Sequence, residues 1–175
     1  VNLLLTSCVR QKYVVMDMVH HNPGEAMTES KFLDPSFLKK NEYGAKVFFL
    51  FEAAQFGIDW KSFDPSLFPD TTEAGRWVAE KAEIIHKKYD AAKKEDLQVY
   101  CMLDMLVLPS LLVEKHRTEL TNEQGKLDIS KPYTQLCIRE LMKEMFETFP
   151  QLDGLVIRTG ETYLHDAPYY VGNHP

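Results

Sequence analysis

Three cysteines in 175 residues, at positions 8, 101 and 137, are too few and too scattered for a disulfide framework, and none forms the C-x-x-C of a zinc ribbon. Basic residues are in the minority: 20 Lys and Arg stand against 26 Asp and Glu, for a formal charge of −6. So acidic a chain gains little from counterion release, so nucleic acid is not an expected partner. No apolar run reaches the roughly 18 residues that a membrane span needs. There is no G-x-S-x-G elbow, P-loop or G-x-G-x-x-G, which argues against hydrolase-fold esterases, NTPases and Rossmann dehydrogenases. H-x-x-x-H and H-E-x-x-H are missing too, and the adjacent His20 and His21 point different ways, so neither a metal nor another cofactor is expected. Internal repeats, low-complexity tracts and linker-like stretches are not visible, which leaves one domain.

What remains is ordinary for a folded domain: 45% apolar and 26% charged residues. Tyr13–Val19 reads as a strand apolar on both sides and runs into the polar cluster His20–Glu25. Asp34 and Pro35 open a short helix through Lys40, which Asn41–Gly44 stops. A second strand is expected over Lys46–Glu52, then a loop over 53–70 carrying Phe56, Trp60, Phe63 and Phe68 between Pro65 and Pro69. From Thr72 to Lys94 the apolar side chains Ala74, Trp77, Val78, Ala82, Ile85 and Tyr89 recur at three and four, the spacing of a helix with one buried face. Gln98–Asp104 is the third strand, continuing to Val107 and Leu108 before Pro109. A helix capped by Ser130, with Pro132 in its first turn, buries Leu136, Cys137, Leu141, Met145 and Phe149 and ends at Pro150. Asp153–Thr159 is the fourth strand, and Tyr169–Pro175 reads as a loop.

Apolar strands alternating with amphipathic helices call for an α/β fold of parallel strands joined by right-handed crossovers. Two architectures satisfy that order: a small doubly wound, flavodoxin-like sheet, or about four β/α units of a (β/α)8 TIM barrel, which in full takes about 250 residues. Ligands sit beyond the carboxyl ends of the strands in both, and those ends are rich in polar side chains. Asp17, His20, His21, Asn22 and Glu25 follow strand one; Glu52 closes strand two, with Gln55 and Asp59 beyond; Asp104 closes strand three; Arg158, Glu161 and Tyr163 follow strand four. Gly160 lets the chain turn so that Glu161 stands at the mouth. Arg158 offers a fixed cation and five donors for a carboxylate. Trp60, Tyr163, Tyr169 and Tyr170 are candidate stacking faces for sugar rings. Glu161 is the candidate proton donor beside Asp104; Cys101 and Cys137, in a strand and on a helix's apolar stripe, are expected to be inert core thiols.

Residues 14–25 (VVMDMVHHNPGE), 100–109 (YCMLDMLVLP) and 152–163 (LDGLVIRTGETY) resemble successive strand-to-loop junctions of (β/α)8 glycoside hydrolases, above all envelope-associated bacterial members; the likeness to the alpha-glucuronidase type, with its Asp-Gly-x-x-x-Arg strand, is weaker. The resemblance implies acid/base hydrolysis of a glycosidic bond. Glu161 takes the acid/base position at the end of the fourth strand, with Gly160 where that family commonly has Asn. Asp104 is its catalytic neighbour, and Asp17, His20, His21, Glu52, Arg158 and Tyr163 bind the substrate. It also implies that the nucleophile lies on a later strand, in a C-terminal half of the barrel that would complete the site.

Leu5-Thr6-Ser7-Cys8 resembles the end of a bacterial lipoprotein signal, where the Cys receives lipid after cleavage. On that reading residues 1–7 are a signal remnant, 8–12 a tether, and 13–175 the N-terminal half of a barrel domain anchored at the bacterial cell envelope through lipid on Cys8. The alternative is that residues 3–5 begin a buried strand with Cys8 as a core side chain. For function, the alternatives are a non-catalytic barrel that only binds glycans and a self-contained flavodoxin-like binding domain.

Overall fold

The computed structural model describes residues 16–17, 31–49, 52–158, 162, 164 and 167–173. Its main sheet has four parallel strands, β1 (Met16–Asp17), β2 (Ala45–Phe48), β3 (Gln98–Asp104) and β5 (Gly154–Arg158), standing side by side in chain order. Between them come α1 (Pro35–Lys40), α2 (Glu73–Lys94) and α5 (Pro132–Thr148), so the expected α/β alternation is present. A doubly wound sheet reverses its strand order at a switch point. Among the described strands there is no reversal, and the order is that of an α/β fold.

The capping chemistry explains where the helices start. Asp34 accepts the amide of Ser36 at 2.9 Å ahead of Pro35, and Thr72 accepts the amide of Gly75 at 3.0 Å ahead of α2. For α5 the expected cap is corrected: Lys131 occupies that position, and the hydroxyl of Ser130 donates to Asp128 instead. Pleating then divides β3 between two faces. Val99, Cys101 and Leu103 are buried in the cluster that also holds Ile85 and Tyr89 of α2 and Cys137, Leu141 and Met145 of α5. Tyr89 joins the layers, its ring centroid 4.7 Å from that of Phe48 and 5.6 Å from that of Phe149. Both long helices therefore pack on one face of the sheet. Tyr100, Met102 and Asp104 belong to the other face.

Asp153 pins β5 at the amino end of β3. Its carboxylate accepts the Val99 amide at 2.6 Å and pairs with Lys93 of α2, while its own amide donates to the Val99 carbonyl at 2.8 Å. The next residue is glycine, and a Cβ on Gly154 would stand 2.7 Å from the Tyr100 ring lying across it, so a larger residue would push that ring aside.

Past the carboxyl end of β3 the chain departs from expectation. Val107–Pro109 is a separate strand, β4, antiparallel to β6 (Tyr170–Gly172) in a stretch read from the sequence as loop. Proline is tolerated in so short a ribbon because only two strands compete for its edge. Two short helices, α3 (Ser110–Lys115) and α4 (Arg117–Leu120), follow β4 and precede the turn around Gly125, which has φ 75°. The loop over 53–70 is packed, not a platform. Trp60 is fully buried at φ 58°, and Phe56, Phe68 and Tyr170 are buried with it. Trp60 and Tyr170 are thus core side chains, which withdraws them as sugar-stacking faces.

Ser62 ties this loop to α5 by donating to the carboxylate of Glu144, a buried residue. Burial outweighs that hydrogen bond and raises the Glu144 carboxyl above its ordinary value of 4.5. An acid raised by folding favours the native state most below its ordinary pKa and loses that contribution as pH climbs through the folded value. Glu144→Gln should therefore raise Tm at pH 7 and bring little gain near pH 4; thermal melts at the two pH values measure the difference.

Candidate functional site

Asp104 closes β3 and Arg158 closes β5, and the two are register partners. Both therefore project from the sheet face opposite the helices, at the same carboxyl end. The guanidinium grips the carboxylate in a two-pronged fork: Nε donates to Oδ1 at 2.6 Å and Nη2 to Oδ2 at 2.8 Å. The side chains are only 11% and 25% exposed, so the pair is shielded far more than a surface ion pair. Phe49, next after β2, places its ring centroid 5.2 Å from the guanidinium carbon, a cation–π contact that orients Arg158 from a third segment. Phe49 was not singled out from the sequence, where it is one apolar residue in a run of five. Its place directly after β2, the neighbour of β3, is what selects it.

The other expected site residues are placed differently. Glu52 lies beyond β2, not within it, and its carboxylate pairs with Lys88 while its carbonyl accepts the Tyr89 hydroxyl at 2.8 Å; both partners are on α2. Asp17 is level with Lys46, and Lys46 with Val99. Val99 stands five residues before Asp104, about 16 Å at the usual rise per strand residue. Cys8, His20, His21, Glu161 and Tyr163 lie outside the described residues, as do Asn22, Glu25 and Gly160. The structure thus brings together Asp104 and Arg158, and sets Glu52 and the Asp17 row apart from them.

Gln55, one of the polar residues that follow strand two in the sequence, joins the rim. It sits in the single 3-10 turn Ala54–Phe56 after β2, is 3% exposed, and with Phe49, Met102 and Asp104 lines a cavity of about 10 Å³. Its backbone carbonyl accepts the Tyr170 hydroxyl at 3.3 Å. The one hint in the sequence was a lone amide inside the apolar run Ala53–Ile58. A second concavity of about 190 Å³ lies between α3 and β6, lined by Ser110, Glu114, Arg117 and Asn173. There the Asn173 amide is committed to the backbone of Leu127 at 2.7 Å on both sides.

Thiol chemistry does not belong to the rim. Cys101 is fully buried on the helix-facing side, accepts the Ala54 amide at 3.2 Å, and is pushed up to about 11 by burial; Cys137, also buried, is raised to about 11 for the same reason. Comparisons with protein-family models, with curated proteins and with solved structures find no match.

Iodoacetamide at pH 8 should leave Cys101 and Cys137 unmodified in the native chain and alkylate both in 6 M guanidinium (a condition of about that strength unfolds most domains). Peptide mass spectrometry reads the outcome, and native labelling of Cys101 would contradict its placement.

Proposed function

We propose that the chain is the N-terminal part of a (β/α)8 barrel of glycoside hydrolase type, acting on carbohydrate at the bacterial cell envelope and held there by lipid on Cys8. The observation that carries the reading is the sequential parallel sheet with Asp104 and Arg158 in one row at its carboxyl end. A barrel places helices outside and ligand-binding side chains at that end. The exposure of Ile157, half open on the helix-facing side of β5, fits a place where a further helix would pack. No helix among the described residues is long and apolar enough to cross a membrane, so attachment on this reading falls to the lipid.

Within this proposal the residues take different roles. Asp104 has both oxygens fixed by Arg158 and fits hydroxyl binding better than proton transfer. Glu161, three residues beyond Arg158, is left as the proton donor. It would protonate the glycosidic oxygen as that oxygen leaves the anomeric carbon, and water would supply the hydroxyl to that carbon with help from a carboxylate on a later strand. His20, His21 and Tyr163 remain the proposed substrate contacts. The fixed Asp104–Arg158 pair also suits the second reading, a barrel that binds glycans without cleaving them.

Reducing-sugar release from a panel of envelope and plant polysaccharides, using the protein as the cell makes it, tests the proposal. Glu161→Gln should lower hydrolysis by about 10²–10⁴-fold, the usual contribution of a general acid, with glycan binding kept within a few fold. Unchanged hydrolysis removes Glu161 as the acid, binding without hydrolysis in the parent selects the second reading, and neither activity refutes both.

A further inference from the structure

We propose that the cavity beneath the rim is a single-oxygen site, built to hold one O–H donor between Gln55 and Asp104. Three independent features converge on it. Gln55 Oε1 is buried and has no hydrogen-bond partner among the described residues, and a buried acceptor left in that state costs as much as a lost hydrogen bond. Asp104 lines the same cavity, and Arg158 takes two of the roughly four acceptor sites a carboxylate offers. The volume, about 10 Å³, is the size of one water or one hydroxyl and of nothing larger.

The chemistry follows from that inventory. Gln55 Oε1 lacks a partner and the Asp104 carboxylate has acceptor capacity left over, so the occupant must be a donor; a water can donate to both with its two hydrogens. The rest of the wall is Phe49, Ala53, Phe56, Met102 and Leu103, whose side chains neither donate nor accept strongly. An anion is excluded by the carboxylate. In the free chain the donor is water. A polyol hydroxyl reaching the rim has one hydrogen and can take the same place by donating it to Gln55 Oε1, since Asp104 keeps its two bonds from Arg158, so the site reads hydroxyls whether or not the carbohydrate proposal holds.

A crystal structure of the chain at about 1.5 Å, together with the Gln55→Met variant, tests the site. The expected result is a water peak at hydrogen-bond distance, about 2.6–3.2 Å, from both Gln55 Oε1 and an Asp104 oxygen, and a Tm lowered by about 2–4 °C in Gln55→Met, which strips the water of one acceptor. No peak, or a Tm that rises because an orphaned acceptor has been removed from a dry hole, overturns the proposal. Repeating the structure with methyl glucoside identifies the donor: a sugar hydroxyl at Gln55 Oε1 makes the ligand the source, and a retained water makes it solvent. A water peak here, together with no glycan bound or hydrolysed across the polysaccharide panel, would refute the carbohydrate reading and leave this one standing.

Discussion

The register between β3 and β5 is the constraint on which the candidate site rests. It is clamped at both ends by carboxylates. Asp153 holds the amino end through the Val99 backbone and Lys93, and Asp104 holds the carboxyl end through Arg158. Shifting one strand by a single residue would move Arg158 to the helix-facing side and set it among apolar side chains. A charged pair this far from water contributes little net stability once desolvation is counted, yet separating its members is costly because each is left without compensation. Specifying the alignment of two strands is the use such a pair is suited for. Apolar packing above the sheet supplies the bulk of the stability, through the Tyr89, Phe48 and Phe149 rings and the faces of α2 and α5.

From that register the polar rim follows. Parallel strands in chain order with helices on one side present their carboxyl ends together, and alternation decides which side chain of each strand faces away from the helices. Asp104 and Arg158 satisfy both conditions. Phe49 reaches them because β2 lies next to β3, and Gln55 because the chain turns into a 3-10 helix directly after β2. Glu52 fails the second condition: the turn carries it toward α2, where Lys88 takes its charge. Asp17 fails the first, since the chain pairs it well below the rim row.

How much of this was legible in the sequence depended on the range of the signal. The periodicity of residues 72–94 gave α2 almost to its ends, and the β-branched and aromatic run over 98–104 gave β3 entirely, because both patterns are local and long. The ribbon of β4 and β6 was not legible. Its strands hold three residues each and are separated by 60 positions, so no local pattern marks their pairing. The buried aromatic loop misled for a related reason: an aromatic residue beside prolines looks the same in sequence whether it meets a ligand or the core, and only the neighbours brought by α5 and β6 bury Trp60 and Tyr170. At the site, the residue types at strand ends marked Asp104 and Arg158 as rim residues, but nothing local marked them as each other's partners. Side-chain direction in the turn after β2 could not be read, which is why Glu52 was favoured over Gln55.

A double-mutant cycle on Asp104→Asn and Arg158→Gln, read by denaturant unfolding, tests the shared-rim geometry most directly. Two groups joined in a shielded fork should couple by about 1–3 kcal/mol, with the double variant more stable than the sum of the single losses allows. Additivity within about 0.5 kcal/mol, the behaviour of residues that do not touch, would place the two side chains apart and contradict the alignment of β3 with β5.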